Sequence, residues 1–348
     1  MRTGMRQNAN EAAGETLLRV RDLRTHFFTG SGVVKAVDGV SFDLARGGAL
    51  GIVGESGSGK SVASNSIMRL LPKNGRIVDG SILFEGRDLV EVREKDMLKI
   101  RGQEISMIFQ DPMTSLDPVF KIGDQVIEVL RAHRRLSNAE AWSEAVKALT
   151  MVGIPEPEKR MNSYPHEFSG GMRQRVFIAM AIACRPKLII ADEPTTALDV
   201  TVQAQVLDLL VDLQREMGTS VILVTHNLGV VWSLCGAVMV MYAGKTVEYA
   251  TAKDLYRNPL HPYTWGLLNS MPRLGAGKEK GKEKPLAIIP GTPPDLRLTA
   301  RNCNFHNRCA YRGDVCKEEV PPLIELEPGH FAACHFQTSG GRLTRKEA

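Results

Sequence analysis

The apolar run Ala49-Leu50-Gly51-Ile52-Val53 leads straight into Gly54-Glu55-Ser56-Gly57-Ser58-Gly59-Lys60-Ser61. A strand that opens into a glycine-rich loop and closes into a helix is confined to a narrow set of folds, because it must end at the edge of a parallel sheet. There the glycines let successive amides turn inward on a phosphate, Lys60 reaches the β and γ phosphates, and Ser61 offers its hydroxyl to Mg²⁺ as the helix begins. The loop therefore predicts a phosphate-loop α/β domain that binds a nucleoside triphosphate.

A chain of 348 residues exceeds the roughly 250–300 residues at which single cores stop growing, so a second, smaller unit is expected. The formal charge of +5 is mild, and with only 6% aromatic residues nothing resembles a basic face with stacking rings, so nucleic acid is not an expected partner. The positive balance fits a triphosphate site and a surface near anionic lipid. No apolar run reaches the roughly 18–20 residues needed to cross a bilayer; the longest, 230–243, is interrupted by Ser233 and Gly236. Arg2, Arg6, Asn8, Asn10 and Glu11 leave no apolar core for a secretion signal. These features predict a cytoplasmic polypeptide that reaches a membrane only by docking on something embedded there.

Residues 1–16 read as a flexible leader, and 17–22, 39–44 and 80–84 as strands from their short apolar alternation. A helix is predicted from Ser61 to Leu71, closed by Pro72, and a strand over 105–109 delivers Gln110 to its carboxyl end. From 112 to 164 the periodicity turns helical, marking an insertion into the sheet domain. The runs 188–191 and 220–225 suit strands buried on both faces, and the helix predicted over 200–217 makes a right-handed crossover between them. Two closing strands are expected over 238–242 and 245–249. The alternating Lys, Glu and Gly of 275–284 read as a solvated linker.

The second strand with chemistry ends in Asp192-Glu193. In a phosphate-loop enzyme Asp192 is the residue expected to hold Mg²⁺, and Glu193 to polarise the attacking water. His226, at the end of the strand 220–225, is placed to donate to a γ-phosphate oxygen or to orient water. Ser169-Gly170-Gly171 opens a helix with a serine and bare glycine amides, a second grip for an anion. Since the chain's own loop already holds its nucleotide, this grip makes most sense aimed at a nucleotide held by another subunit.

Taken in order, these landmarks resemble the nucleotide-binding subunits of ATP-binding-cassette (ABC) transporters over about residues 17–270. The resemblance implies a cassette of 17–255 with an antiparallel β subdomain and a helical subdomain near 112–180, followed by an extension over 256–348. It implies Gln110 as the glutamine of the loop that meets the membrane subunits and a ligand of Mg²⁺, and Phe168-Ser169-Gly170-Gly171-Met172-Arg173-Gln174 as the signature, with Phe168 where Leu is usual. It makes Ala197-Leu198-Asp199 the subunit-contact loop and His226 the switch histidine. Phe27 is similar to the aromatic residue that stacks on adenine, with Phe28 as the alternative. Two such domains would sandwich two ATP molecules, each between one phosphate loop and the opposite signature, with Lys60, Gln110, Glu193 and His226 acting on the phosphoryl group.

Three local stretches narrow the resemblance to oligopeptide and dipeptide importers: Gln110-Asp111-Pro112-Met113-Thr114-Ser115-Leu116-Asp117-Pro118, Tyr164-Pro165-His166-Glu167-Phe168, and Asn258-Pro259-Leu260-His261-Pro262-Tyr263-Thr264. That family implies a second, distinct ATPase subunit, two transmembrane permease subunits, an extracytoplasmic solute-binding protein, and a place on the cytoplasmic face of the cell membrane. Peptides are the expected cargo; nickel chelates, glutathione or another small solute are alternatives. A non-transport ATPase and a redox-sensing module are the rival classes.

The tail carries Cys303, Cys309, Cys316 and Cys334, four of six cysteines, while Cys184 and Cys235 sit in apolar segments and read as packing residues. In a reducing compartment four such thiols suggest a metal site. Thiolates hold Zn²⁺ or an iron–sulfur cube, and these separations are wider than zinc knuckles. Similar tails in peptide-importer ATPases resemble [4Fe–4S] sites, which makes a cluster the expectation, with zinc or unliganded thiols open. His306, His330 or His335 could replace a cysteine.

Overall fold

A computed structural model describes residues 15–109, 116–195, 199–270, 288–298 and 301–338. Two long strands, β1 (Thr16–Thr29) and β2 (Gly32–Ala45), pair antiparallel and precede the central strand β3 (Ala49–Val53) and its helix α1 (Lys60–Ile67). Strands β4 (Gly75–Phe84) and β5 (Arg87–Asp88) complete an outer sheet of order β2-β1-β4-β5. Then come α2 (Glu94–Ile100), β6 (Ile105–Ile108), and the helical insertion α3 (Ile122–His133), α4 (Asn138–Met151) and α5 (Pro157–Arg160), ending in a 3-10 turn at Pro165–Glu167. Helix α6 (Gly170–Ile182) returns the chain to β7 (Leu188–Asp192), α7 (Val200–Met217), β8 (Ser220–Thr225), α8 (Leu228–Leu234), β9 (Ala237–Tyr242) and β10 (Lys245–Thr251). The C-terminal region holds α9 (Ala252–Arg257), α10 (Pro262–Asn269), α11 (Val315–Glu318), the hairpin β11 (Ile324–Glu327) and β12 (His330–Ala332), and α12 (His335–Thr338).

The central sheet has the order β11-β12-β10-β9-β3-β8-β7-β6 and is parallel from β9 to β6. Its inner strands are apolar without interruption because alternate residues serve two cores. Leu50, Ile52, Ile190, Ile222, Val224, Met239 and Met241 face the outer sheet and α1. Ala49, Val53, Ile189, Ala191, Val221, Leu223, Val238 and Val240 face the helices, where Val126, Leu130, Leu149, Val176, Ile178, Val206 and Leu210 meet them.

The outer strands run further than the sequence predicts. β1 and β2 each span 14 residues, because pairing resumes beyond register shifts at Val20/Leu23 and Thr25/Phe27 and carries Phe27 opposite Val34. Helix α1 is shorter than the predicted 61–71. It ends at Ile67, and Arg69 adopts a left-handed φ of 51°, two residues before the chain reaches Leu71. The helical insertion agrees with its periodicity, and α4 starts at a capping box formed by Ser137 and Glu140. The predicted leader (apart from 15–16), Gln110 with 111–115, and the linker 275–284 lie outside the described residues.

The C-terminal extension is bound to the sheet by more than chain continuity. β12 pairs antiparallel with β10 at Glu248↔Ala332 and Tyr249↔Phe331. Among the described residues no helix is long and apolar enough to cross a membrane.

Candidate functional site

Parallel pairing brings the chemistry to one edge of the sheet. Val53 stands opposite Thr225 across the β3–β8 pair, Asp192 opposite Val224 across β7–β8, and Ile108 opposite Ala191 across β6–β7. The phosphate loop, the acidic pair and His226 therefore leave three adjacent strands at one level, and the chain leaves β6 toward residue 110 at the same edge. This is where ligands bind in open parallel sheets.

The loop wraps its own lysine. Lys60 is 4% exposed and its Nζ donates to the carbonyls of Gly54 at 2.8 Å and Glu55 at 2.9 Å. Gly59 caps α1 with φ at 102°, and a Cβ there would stand 2.2 Å from the Ala36 carbonyl oxygen, so only glycine fits. Ser61 Oγ donates to Asp192 Oδ1 at 3.0 Å, which puts the expected Mg²⁺ ligands from the loop and from β7 side by side. Burial pushes the Asp192 carboxyl up and the Lys60 ammonium down, while the nearby charges of Glu193, Asp192 and Glu55 pull Lys60 back up. A buried carboxyl beside a buried lysine suits a divalent cation and a polyphosphate, each of which favours the charged form of its partner.

Glu193 leaves β7 with a left-handed φ of 47° and its amide donates to the Val224 carbonyl at 2.9 Å. That turn carries its carboxylate across β8, where Oε1 lies 3.4 Å from His226 Nδ1. The imidazole is largely exposed, with 63% of its side-chain surface open, so it can reach a phosphate oxygen outside the fold. The expected acidic residue and the switch histidine thus meet, although 33 residues separate them in the chain.

Ser169 caps α6, its hydroxyl accepting the Met172 amide at 3.3 Å, and is itself exposed, with the half-buried Gly170 and Gly171 following at the helix start. Phe168, in place of the usual Leu, is 3% exposed with the Arg160 guanidinium 5.5 Å above its ring, so the apolar anchor is retained. Buried Gln174 donates to the Pro194 carbonyl at 2.8 Å and ties this helix to the segment after Glu193. Asp199 caps α7 by accepting the Val202 amide at 2.9 Å; Ala197 and Leu198 lie outside the described residues. Phe27 is half-buried in β1 with its ring edge against Gly75 of β4, and Phe28 is exposed with Arg76 over its ring at 5.6 Å.

The tail cysteines converge. Cys303 donates its amide to the Cys316 carbonyl at 3.0 Å, and each thiol lies within electrostatic reach of the other three. Burial first, then their neighbours, pushes Cys303 up to about 12 and Cys309 to about 11. Yet among the described residues no three His, Cys, Asp or Glu side chains are arranged to hold a metal ion, so the expected metal centre is not present as a formed ion site. The histidines considered as substitutes are engaged elsewhere: His306 Nδ1 with the Cys303 carbonyl at 2.7 Å, His335 Nε2 with the Glu319 carbonyl at 3.1 Å, and His330 with Glu248. Cys235 is buried as expected, its thiol raised to about 12 by desolvation, and Cys184 is half-buried.

Two residues of the C-terminal extension reach the phosphate loop, and a third holds one of them in place; of the three only Tyr263 lies in a stretch the sequence singles out. Tyr263, at the start of α10, accepts the Glu55 amide at 2.8 Å. Glu248, wholly buried, accepts the amides of Leu260 at 2.7 Å and His261 at 2.9 Å and pairs with His330 Nε2 at 2.8 Å, which fixes α10. Arg308 reaches the Glu55 carboxylate. The stretch 258–264 is distinctive in the sequence, but its contact with the phosphate loop exists only once the chain is folded.

Fold and site together define a phosphate-loop ATPase built as a transporter cassette. Residues 37–196 match the ABC transporter family, and residues 247–316 match the oligopeptide/dipeptide transporter C-terminal region. The chain is 52% identical over 331 residues to the probable peptide ABC transporter ATP-binding protein y4tR of Sinorhizobium fredii, covering 95% of this chain and 97% of that one. It is 52% identical over 320 residues to the oligopeptide transport ATP-binding protein OppD of Escherichia coli, covering 92% and 93%. Among solved structures, the dimeric MJ0796 ABC transporter cassette superposes with a TM-score of 0.60 at 27% identity, over 68% of this chain and 98% of that one. CbiO1 of Clostridium perfringens gives 0.61 at 27% identity over 70% and 92%. This chain belongs to the ABC transporter ATP-binding proteins, in the oligopeptide/dipeptide branch.

Proposed function

We propose that this chain hydrolyses ATP at the cytoplasmic face of the membrane to drive import of short peptides through a permease. The observation that carries this reading is the meeting of Lys60, Ser61, Asp192, Glu193 and His226 at one sheet edge, with Ser61 Oγ 3.0 Å from Asp192 and His226 3.4 Å from Glu193. Ser61 and Asp192, with Gln110, would hold Mg²⁺, which supplies charge neutralisation at the phosphates. Lys60 and the loop amides of Gly54 to Gly59 bind the β and γ phosphates, Glu193 takes the proton of the attacking water, and His226 orients its carboxylate. Phe27 supplies the face for adenine. Exposed Ser169, with Gly170 and Gly171 at the start of α6, serves the nucleotide of a second ATPase subunit, a distinct homologue, and Asp199 lies at that contact. Two permease subunits dock near Gln110, and a solute-binding protein outside delivers the peptide.

Glu193→Gln tests the chemistry in the reconstituted transporter. ATP binding is expected to survive while hydrolysis and peptide uptake fall about 100-fold or more. Unchanged turnover, or full turnover by a solitary protomer, would refute it.

We also propose that Cys303, Cys309, Cys316 and Cys334 hold a [4Fe–4S] cluster. The support is the gathering of four of the six cysteines in one folded tail, where the Cys303 amide donates to the Cys316 carbonyl at 3.0 Å and Cys316 and Cys334 are buried, in a pattern that resembles the cluster-binding tails of peptide-importer ATPases. When bound, the cluster would draw off the thiol protons and clasp the tail. Anaerobically purified chain should carry about four irons and four sulfides per protomer; one zinc and no sulfide would overturn the cluster.

A further inference from the structure

Arg308 lies one residue before Cys309, yet its side chain is 4% exposed and buried against the phosphate loop, 253 residues away in the chain. Nη1 donates to Glu55 Oε2 at 2.5 Å and Nη2 to Oε1 at 2.9 Å, the parallel fork that only a guanidinium makes. Its other donors are also taken: Nε by the Pro290 carbonyl at 2.8 Å, Nη2 by the Ile289 carbonyl at 3.2 Å, and Nη1 by Tyr242 Oη at 3.4 Å. The backbone beneath is turned by Arg308 N to the Phe305 carbonyl at 3.0 Å and Cys309 N to the His306 carbonyl at 3.4 Å. The Phe305 ring packs on Tyr242 and Tyr263 with centroids 5.2 and 5.4 Å apart. The arginine therefore cannot swing away without unseating the turn between the first two tail cysteines.

Glu55 is the second residue of the phosphate loop, and each of its polar groups is held. Its amide goes to Tyr263, its carbonyl receives Lys60 at 2.9 Å, and its carboxylate receives Arg308. Two of these three partners come from the C-terminal extension. The Glu55 charge acts on Lys60, which makes this carboxylate an electrostatic hazard at a triphosphate site. Unpaired, it repels the γ phosphate and competes with it for the lysine, because charges in a partly buried loop interact more strongly than in water.

We infer that Arg308 is a positioning residue for nucleotide binding: through Glu55 the C-terminal extension holds the phosphate loop in shape and keeps its acidic residue off Lys60. This rests on the ATPase reading above. It gives the tail a task at the nucleotide site, and whatever orders the four thiols also sets the latch.

The test uses the full chain, with affinity for a fluorescent ATP analogue displaced by MgATP, and with kcat and KM for ATP measured separately. R308M should raise Kd and KM about tenfold with kcat within about twofold, a loss of binding rather than of chemistry. In a chain already carrying E55Q, the same R308M change should alter Kd by less than about twofold, since the charge that Arg308 restrains is gone. R308K, which restores charge without the fork, should recover part of the loss. An unchanged Kd in R308M, or an equal loss in both backgrounds, would overturn the inference. So would an R308M chain that fails to fold whether or not E55Q is present, because the arginine would then merely hold the tail together. A wild-type chain that binds no MgATP would instead remove the ATPase reading itself.

Discussion

Acid should loosen this protein at a buried histidine at the start of α10. His261 is 2% exposed at the start of α10, where its Nδ1 accepts the Tyr263 amide at 3.0 Å and its ring lies 5.8 Å from that of Phe305. Burial lowers its pKa to about 4; the Glu248 charge and the Ala333 backbone pull upward and do not prevail. The unfolded chain, with a histidine near 6.5, takes up a proton first as the pH falls. Its contribution to stability is thus complete above about pH 6.5 and is lost on the way down to about pH 4. At pH 5 the loss amounts to about 2 kcal/mol, rising to about 3 kcal/mol once the folded histidine also titrates. His261→Asn isolates this group, since asparagine keeps a side-chain acceptor at the helix start but does not titrate. In urea unfolding of the full chain at about pH 7.5, the variant should be about 1–2 kcal/mol less stable than wild type through lost packing. At about pH 5 that gap should close or reverse by about 2 kcal/mol, the carboxylates cancelling between the two proteins. A gap of the same size at both pH values would refute the reasoning.

Glu248→Ala removes the acceptor from three buried donors, the amides of Leu260 and His261 and Nε2 of His330. Each orphaned donor costs about 1–3 kcal/mol, and breaking the buried pair as a whole should cost about 3–5 kcal/mol, read as a lowered urea midpoint; a loss under about 1 kcal/mol would contradict it. Gly59→Ala places a Cβ 2.2 Å from the Ala36 carbonyl oxygen at a φ of 102°. It should abolish binding of an ATP analogue while far-ultraviolet circular dichroism stays unchanged, and binding as in wild type would show that the loop tolerates the change.

The local chemistry was legible where a short stretch carries a complete physical constraint. Val53 to Ser61 read correctly as strand, loop and helix because glycine, lysine and serine each have one task there. The runs at 188–191 and 220–225 read as buried strands because both faces of each had to be apolar. The strand ends then put Asp192 and His226 in the site by topology alone. Less was legible at element ends. β1 continues past Asp22 through irregular pairing that breaks the alternation, and α1 stops early where Arg69 turns left-handed. The tail was read by its four cysteines and by the stretch 258–264, whereas its contact with the phosphate loop runs through Tyr263 of that stretch, whose role there no pattern announced, and through Arg308, which resembles any buried arginine in a sequence.

From the sequence came the chemistry: a phosphate loop, an acidic strand end, a capped glycine helix and four thiols, each signalled by neighbours within about ten residues because backbone conformation and local hydrogen bonding are short-range. Only the folded chain decided what stands beside what. The level register of β3, β7 and β8 brought the site together, and the pairing of β12 with β10 carried the tail to Glu55. Such contacts join residues hundreds of positions apart, and they follow from how two cores close on opposite faces of one sheet rather than from any pattern along the chain.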